Sequence, residues 1–197
     1  MVEQRFQSPE RQETPKSEFV AKLEKLWEKG NFVCVGLDSD YSQIPKLTPR
    51  YSARGHTVEW DIFEFNRRII EVTNDLVCTY KPNMAFYEAQ GDQGLSALKE
   101  TVEYVHEQQP DIPVILDGKR ADIGSSSLAY AEAIFDELDA DAVTVNPYFG
   151  KDALEPFLSH KDKGIFVLVK TSNPGEKLQD WPVIPFSGLE TDLLRDR

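Results

Sequence analysis

Apolar positions along this chain switch between helical spacing and short continuous runs. From Ser17 the spacing is helical, with Phe19, Leu23, Leu26 and Trp27 on one stripe and Gly30 as its stop. Phe32–Leu37 is a compact apolar run that ends in Asp38 and reads as a strand. A loop with Pro45, Pro49 and Gly55 leads to a second helical stretch over 61–76, where Ile62, Phe65, Ile69, Val72 and Leu76 recur at steps of three and four. The alternation then repeats. Strands are predicted at Leu76–Tyr80 before Lys81, at Ile112–Leu116 before Asp117, at Ala142–Val145 before Asn146, and at Ile165–Val169 before Lys170, Thr171 and Ser172. Between them lie helical patterns carried by Leu95, Leu98, Val102 and Val105, by Leu128, Ala131, Ile134 and Leu138, and by a short segment near 152–158. Residues 1–16 are polar with Pro9 and Pro15 and are predicted to be a disordered tail; 17–197 are read as the folded domain, with a last helical segment from Gly188.

Strands and helices that alternate in this way predict an α/β fold with a parallel sheet. The near-continuous apolar strands agree, because such strands are covered on both faces. A parallel sheet brings its strand ends to one edge, where α/β folds bind ligands. Asp38, Lys81, Asp117, Asn146 and Thr171 with Ser172 are the residues placed there.

The densest chemistry on that edge is Asp117-Gly118-Lys119-Arg120-Ala121-Asp122-Ile123-Gly124. Residues two apart on a strand project to the same side, so Asp117 and Lys119 are expected side by side, with Asp122 just beyond. An ammonium between two carboxylates keeps its proton and has it to give. Two readings stand at this point: a solvated ion-pair group at a strand end, or a site that protonates a developing carbanion. Asp38 and Lys81 sit at neighbouring strand ends and could pair: one reading is a structural salt bridge, the other hydroxyl recognition and positioning of the charge array. Gly124-Ser125-Ser126-Ser127 opens a helix, where a serine can cap the helix or meet a ligand hydroxyl. Thr171-Ser172-Asn173-Pro174-Gly175 reads as a turn or a contact for a heterocycle.

Charge narrows the field. The 197 residues carry 34 acidic and 22 basic side chains, a net charge of −12, which disfavours nucleic acid as a partner. Cys34 and Cys78 lie in apolar runs and are expected to be buried reduced thiols. His56, His106 and His160 show no metal-ligand spacing. No run is long enough to span a membrane and no secretory signal is visible, so the cytoplasm is the expected location. Phosphate-loop, dinucleotide-binding and nucleophile-elbow motifs are missing from the sequence.

The extended motif Leu116-Asp117-Gly118-Lys119-Arg120-Ala121-Asp122-Ile123-Gly124 resembles that of the orotidine 5′-phosphate decarboxylase family. Val35-Gly36-Leu37-Asp38, Lys81-Pro82-Asn83-Met84-Ala85-Phe86-Tyr87-Glu88, Ala142-Val143-Thr144-Val145-Asn146-Pro147-Tyr148 and Thr171-Ser172-Asn173-Pro174-Gly175 are similar to its bacterial-type branch, and the resemblance covers about residues 18–180. It implies a (β/α)8 TIM barrel, usually a homodimer with sites at the interface, that decarboxylates orotidine 5′-phosphate to UMP in pyrimidine synthesis. By the resemblance, Lys119 is the proton donor to C6 and Asp117 lies beside the departing carboxylate. Asp122 and Ile123 reach into the partner's site, where Asp122 completes the charge array. Asp38 and Lys81 bind ribose hydroxyls and extend the charge network, which makes Lys81 a catalytic residue as well, Ser126 lies near the ribose, and Ser172 meets the pyrimidine edge. The resemblance implies no metal and no cofactor.

Only about five of the eight β/α units are readable, against about 250 residues for a typical barrel. No residue matches the family's phosphate-gripping arginine, Arg195 and Arg197 being in the wrong context. A fragment of a longer product, a remainder supplied by another chain, and a degenerate open sheet are the three explanations; the first is the expectation. A related sugar-phosphate enzyme using Mg²⁺ and an inactive interaction fragment are the rival functions.

Overall fold

A computed structural model describes residues 16–45 and 57–171 of the chain. The chain divides into two units, Met1–Val167 and Leu168–Arg197, and the fold below is that of the first. Residues 1–15 of the predicted tail, the segment from Ser172 and the last helical pattern lie outside the described residues, while Lys16 is described and its ammonium donates to Glu24 at 2.8 Å.

Helix α1 spans Glu18–Glu28, capped by the Ser17 hydroxyl, which accepts from the Val20 amide at 3.3 Å. Gly30 ends it with φ +89°, while the Gly30 and Asn31 amides donate to the Trp27 and Leu26 carbonyls. This is the double hydrogen bond of a left-handed helix stop. Phe19, Leu23 and Leu26 face the core; Trp27, one residue off their line, is exposed.

Strand β1 is Val33–Leu37, and α2 is Val58–Thr73, capped by Thr57. The buried line of α2 runs through Ile62, Asn66 and Ile70. The apolar stripe predicted through Val72 and Leu76 leaves the core, and Val72 is 72% exposed. A polar residue, Asn66, lies at the centre of the buried face, so an apolar pattern alone misplaces that face.

Strand β2 (Val77–Pro82) runs directly into α3 (Met84–Glu88), a helix too short to show a period. Helix α4 spans Gly91–Gln108 and buries Ala97, Leu98, Thr101, Val102 and Val105. It packs hard on α3 at Gly94, where a Cβ would lie 2.0 Å from the Tyr87 carbonyl oxygen.

Strand β3 is Ile115–Arg120, not the predicted Ile112–Leu116, with Val114 forming an isolated bridge to Tyr80. The strand therefore continues through Asp117 instead of ending before it. Its pairing shifts between Leu116 and Arg120, and Lys119 takes a left-handed φ of 48°. Helix α5 (Gly124–Glu132) widens into a π turn over Ala133–Glu137 that brings Ile134 and Phe135 both into the core. Strand β4 is Ala142–Val145, as its sequence predicts; α6 is Lys151–Leu158 and β5 is Gly164–Val167.

All pairings are parallel: β1 with β2, and β3 with β4 with β5. Parallel bridges Tyr80↔Val114 and Asn83↔Asp117 join the two groups, so the strands follow chain order without reversal. Unreversed order with helices between strands is the winding of a barrel rather than of a doubly wound open sheet. The strands in the middle are buried, whereas Val33, Cys34, Phe166 and Val167 are exposed. Burial on both faces thus holds for β2 and β4 but not for β1 and β5, which have one strand neighbour each among the described residues. Cys78 is buried as expected and Cys34 is not, for this reason.

At the N-terminal edge, Asp141 is buried just before β4. It accepts from Lys22 Nζ and the Val114 amide at 2.8 Å each and meets His106 Nε2 at 2.8 Å. Burial works against its ionisation, but the His106, Lys22 and backbone hydrogen bonds prevail and draw its pKa down to about 2.

Candidate active site

At the opposite, C-terminal edge the sheet presents Asp38 after β1, Lys81 in β2, Asp117 and Lys119 in β3, and Thr144 in β4. Asp117 is the centre of this group. Lys119 Nζ donates to its Oδ1 at 2.6 Å and Lys81 Nζ to its Oδ2 at 3.2 Å. Thr144 Oγ1 also donates to Oδ1, at 2.9 Å. Burial of the carboxylate raises its pKa, yet the hydrogen bonds from Lys119, Thr144 and Lys81 outweigh that and hold it below the ordinary carboxylate range. The Asp117 side chain is 13% exposed and that of Lys119 51%, so the acid sits at the base of the group and one ammonium faces outward.

The expected order of charges is therefore inverted. Sequence spacing predicts an ammonium between two carboxylates; the structure places a carboxylate between two ammonium groups. Asp122 makes no ion pair with Lys119 among the described residues. Its Oδ1 accepts its neighbour's amide, that of Ile123, at 2.7 Å. The chain has already turned toward α5 at that point, which takes the carboxylate away from β3. Of the two readings of Asp38 and Lys81, the salt bridge between them does not form among the described residues, because Lys81 turns to Asp117. Asp38 is exposed at the tip of β1.

Ile123 and Ser126 are both exposed at the start of α5, where the Ser126 amide donates to the Ile123 carbonyl at 3.2 Å. The neighbouring Ser127 is the structural serine, buried and donating to the Ala153 carbonyl at 2.5 Å. Ser172 lies outside the described residues. Among the described residues no group of three or more His, Cys, Asp or Glu side chains is placed to hold a metal ion.

Two contributors escaped the sequence reading. Thr144 accepts the Lys119 amide at 2.9 Å as well as donating to Asp117, so it holds both the acid and the irregular backbone beside it. A polar residue inside the apolar run Ala142–Val145 was its signal. Arg120 forms an ion pair with Glu88 and lies over the Tyr130 ring, 5.3 Å from its centre, which ties α3 and α5 to β3. The resulting arrangement fixes a negative charge at the ligand edge and sets a proton-bearing amine against it. That combination suits a reaction that forms carbanion character and quenches it with a proton.

Comparison with known proteins gives the family. Residues 31–185 match the model of the "Orotidine 5'-phosphate decarboxylase / HUMPS family". An orotidine 5'-phosphate decarboxylase from Herpetosiphon aurantiacus is 52% identical over 143 residues, covering 73% of this chain and 50% of the relative. One from Thermomicrobium roseum is 50% identical over 167 residues, 84% of this chain and 56% of that protein. The crystal structure of a putative orotidine-monophosphate-decarboxylase from Toxoplasma gondii superposes with a TM-score of 0.70 at 41% identity, covering 84% of this chain and 52% of that one. Leishmania donovani OMP decarboxylase gives a TM-score of 0.66 at 39% identity, with coverages of 80% and 55%. The chain spans about half the length of the curated relatives it matches. The α/β barrel fold implied by the motifs is that of these neighbours, and the chain belongs to the orotidine 5'-phosphate decarboxylase / HUMPS family.

Proposed function

We propose that the site decarboxylates orotidine 5′-phosphate to UMP, the last step in making that pyrimidine nucleotide. The observation that carries this reading is Lys119 Nζ at 2.6 Å from Asp117 Oδ1, with Lys81 on the other carboxylate oxygen. In this reading the bond between C6 and the substrate carboxylate breaks, CO₂ departs, and the electron pair stays on C6. Lys119 gives its proton to that carbon and regains one from water. The step balances without an electron acceptor. Asp117 lies beside the departing carboxylate, where its fixed charge disfavours the bound substrate anion and keeps the Lys119 ammonium aimed.

Asp38 and Lys81 serve the ribose hydroxyls, Ser126 lies near the ribose, and Ser172 meets the pyrimidine edge. Ile123 and Asp122 face a second copy of the chain, so that Asp122 completes the partner's array in a homodimer. The exposure of Ile123, 64% in the single chain, supports that assignment. A cytoplasmic location belongs to the same reading; no helix among the described residues is long and apolar enough to cross a membrane.

The test supplies the full chain with orotidine 5′-phosphate and, separately, with a ketose phosphate and Mg²⁺. UMP and CO₂ formed in the first reaction alone support the proposal. Turnover of the sugar phosphate alone, or of neither compound, contradicts it.

A further inference from the structure

The tip of β1 is held by a chain of buried polar side chains that the decarboxylase reading does not use. The Tyr87 hydroxyl donates to the Leu37 carbonyl at 2.9 Å, and the Ser39 hydroxyl donates to Asn66 Oδ1 at 2.5 Å. Asn66 Nδ2 donates to the Tyr87 hydroxyl oxygen and to Thr101 Oγ1, each at 3.0 Å, and Thr101 donates onward to the Ala97 carbonyl at 2.7 Å. Tyr87 and Asn66 have no exposed surface, and Ser39 and Thr101 almost none. Leu37 and Ser39 are the two neighbours of Asp38. The network therefore grips the chain on both sides of an exposed acid at the ligand edge.

A purely structural role does not account for this pattern. Three helices can pack with apolar side chains of the same shape at little or no cost, whereas a buried polar group must recover its lost hydration. Only two of the network's arms leave the helices, and both end beside Asp38. Strand β1 has β2 as its one strand neighbour among the described residues, so the sheet steadies this tip from one side only. The same short helix that carries Tyr87 follows directly on Lys81 and Pro82, and its last residue, Glu88, pairs with Arg120 of β3. Helix α3 thus connects the ends of β1, β2 and β3.

We propose that Tyr87 and Asn66 are positioning residues that set Asp38 in register with Lys81 and Asp117. The proposal rests on the decarboxylase reading only in taking Asp38 as a ligand contact. Burial pushes the Tyr87 pKa up to about 12, against the pull of the Ser39 and Asn66 side chains beside it, so its hydroxyl stays a donor across the working range of pH.

The test compares Tyr87→Phe with Phe157→Leu, a core change on α6, after adjusting denaturant to equal global stability. The reporter is hydrogen exchange at the Asp40 amide, which donates to the Asp38 carbonyl at 2.9 Å. Tyr87→Phe is expected to speed that exchange about tenfold relative to Phe157→Leu, the size of one lost hydrogen bond. The KM for orotidine 5′-phosphate is expected to rise by about the same factor, with kcat changed less. If Tyr87→Phe does not fold, Ser39→Ala, which cuts the other arm, takes its place. Equal exchange at Asp40 in the two matched variants overturns the proposal. A wild-type chain without turnover sinks the decarboxylase reading, and the exchange comparison still decides the positioning role.

Discussion

The Thr144 hydroxyl donates to Asp117 Oδ1 at 2.9 Å while accepting the Lys119 amide at the same distance. One side chain of β4 thereby orients the central acid and braces the left-handed residue that carries the outward ammonium. The main-chain ladder is interrupted between Leu116 and Arg120, and Thr144 replaces part of it. The Thr144→Val variant keeps the shape and removes both bonds. Its kcat should fall about tenfold, with about 2 kcal/mol lost in urea titrations. A rate within twofold of wild type would show that Asp117 keeps its aim without Thr144.

Asp117→Asn should damage catalysis far more than folding. The amide cannot hold two ammonium groups by charge, and preorganised electrostatic groups are commonly worth about a hundredfold or more in rate. Paired kinetics and thermal melts check this, and a melting shift large enough to explain the lost activity would contradict it. The acid side of the profile carries a second sign. In the free chain the Asp117 carboxyl is held below its ordinary value of 3.8 by the Lys119, Thr144 and Lys81 hydrogen bonds, so its loss of charge should enter the kcat/KM profile below that pH.

Asp141 makes the opposite edge acid-sensitive. Its folded pKa of about 2 lies below the ordinary 3.8, so its contribution is fully present above pH 4 and disappears as pH falls through 2. The difference corresponds to about 2 kcal/mol, of which roughly half is lost by pH 3. Urea titrations at pH 7 and pH 3 should show that Asp141→Asn is the less stable at neutrality and the less acid-dependent. Parallel pH curves for the two proteins would refute the assignment.

Gly94→Ala tests how tightly α3 sits on α4. Inside a helix this change usually stabilises by about 1 kcal/mol. Here the new Cβ would meet the Tyr87 carbonyl oxygen at 2.0 Å, a backbone atom that cannot swing away. Overpacking of this kind costs about 1–3 kcal/mol and should win, lowering the melting temperature. A rise in melting temperature would mean that α3 yields freely.

The sequence carried the bounds of β4 and the chain order of all five strands, but set β2 at Leu76–Tyr80 against the observed Val77–Pro82 and β5 at Ile165–Val169 against Gly164–Val167, because an apolar run marks the middle of a strand better than its ends. It placed β3 too early, since Ile112 and Val114 are as buried as strand residues while lying ahead of the ladder. The closeness of Asp117 and Lys119 was legible from a period of two, although the contact is made through a left-handed residue rather than a regular strand. The placement of Asp122 within the chain was not legible: spacing puts it near Lys119, and only the turn into α5 removes it. The bond between Asn66 and Tyr87 was not legible, although Tyr87 lies in a recognised motif, because hydrogen bonds between distant helices leave no period in a chain.

The central claim is that the Lys119 ammonium, held on Asp117, supplies the proton that ends the reaction. The most direct measurement is the loss of orotidine 5′-phosphate absorbance with the full chain and with Lys119→Ala, each confirmed as folded by its thermal melt. Wild-type turnover that drops at least about a hundredfold in Lys119→Ala is the expected result, in line with the removal of a general acid. Turnover in the folded variant equal to that of the wild type would contradict the account.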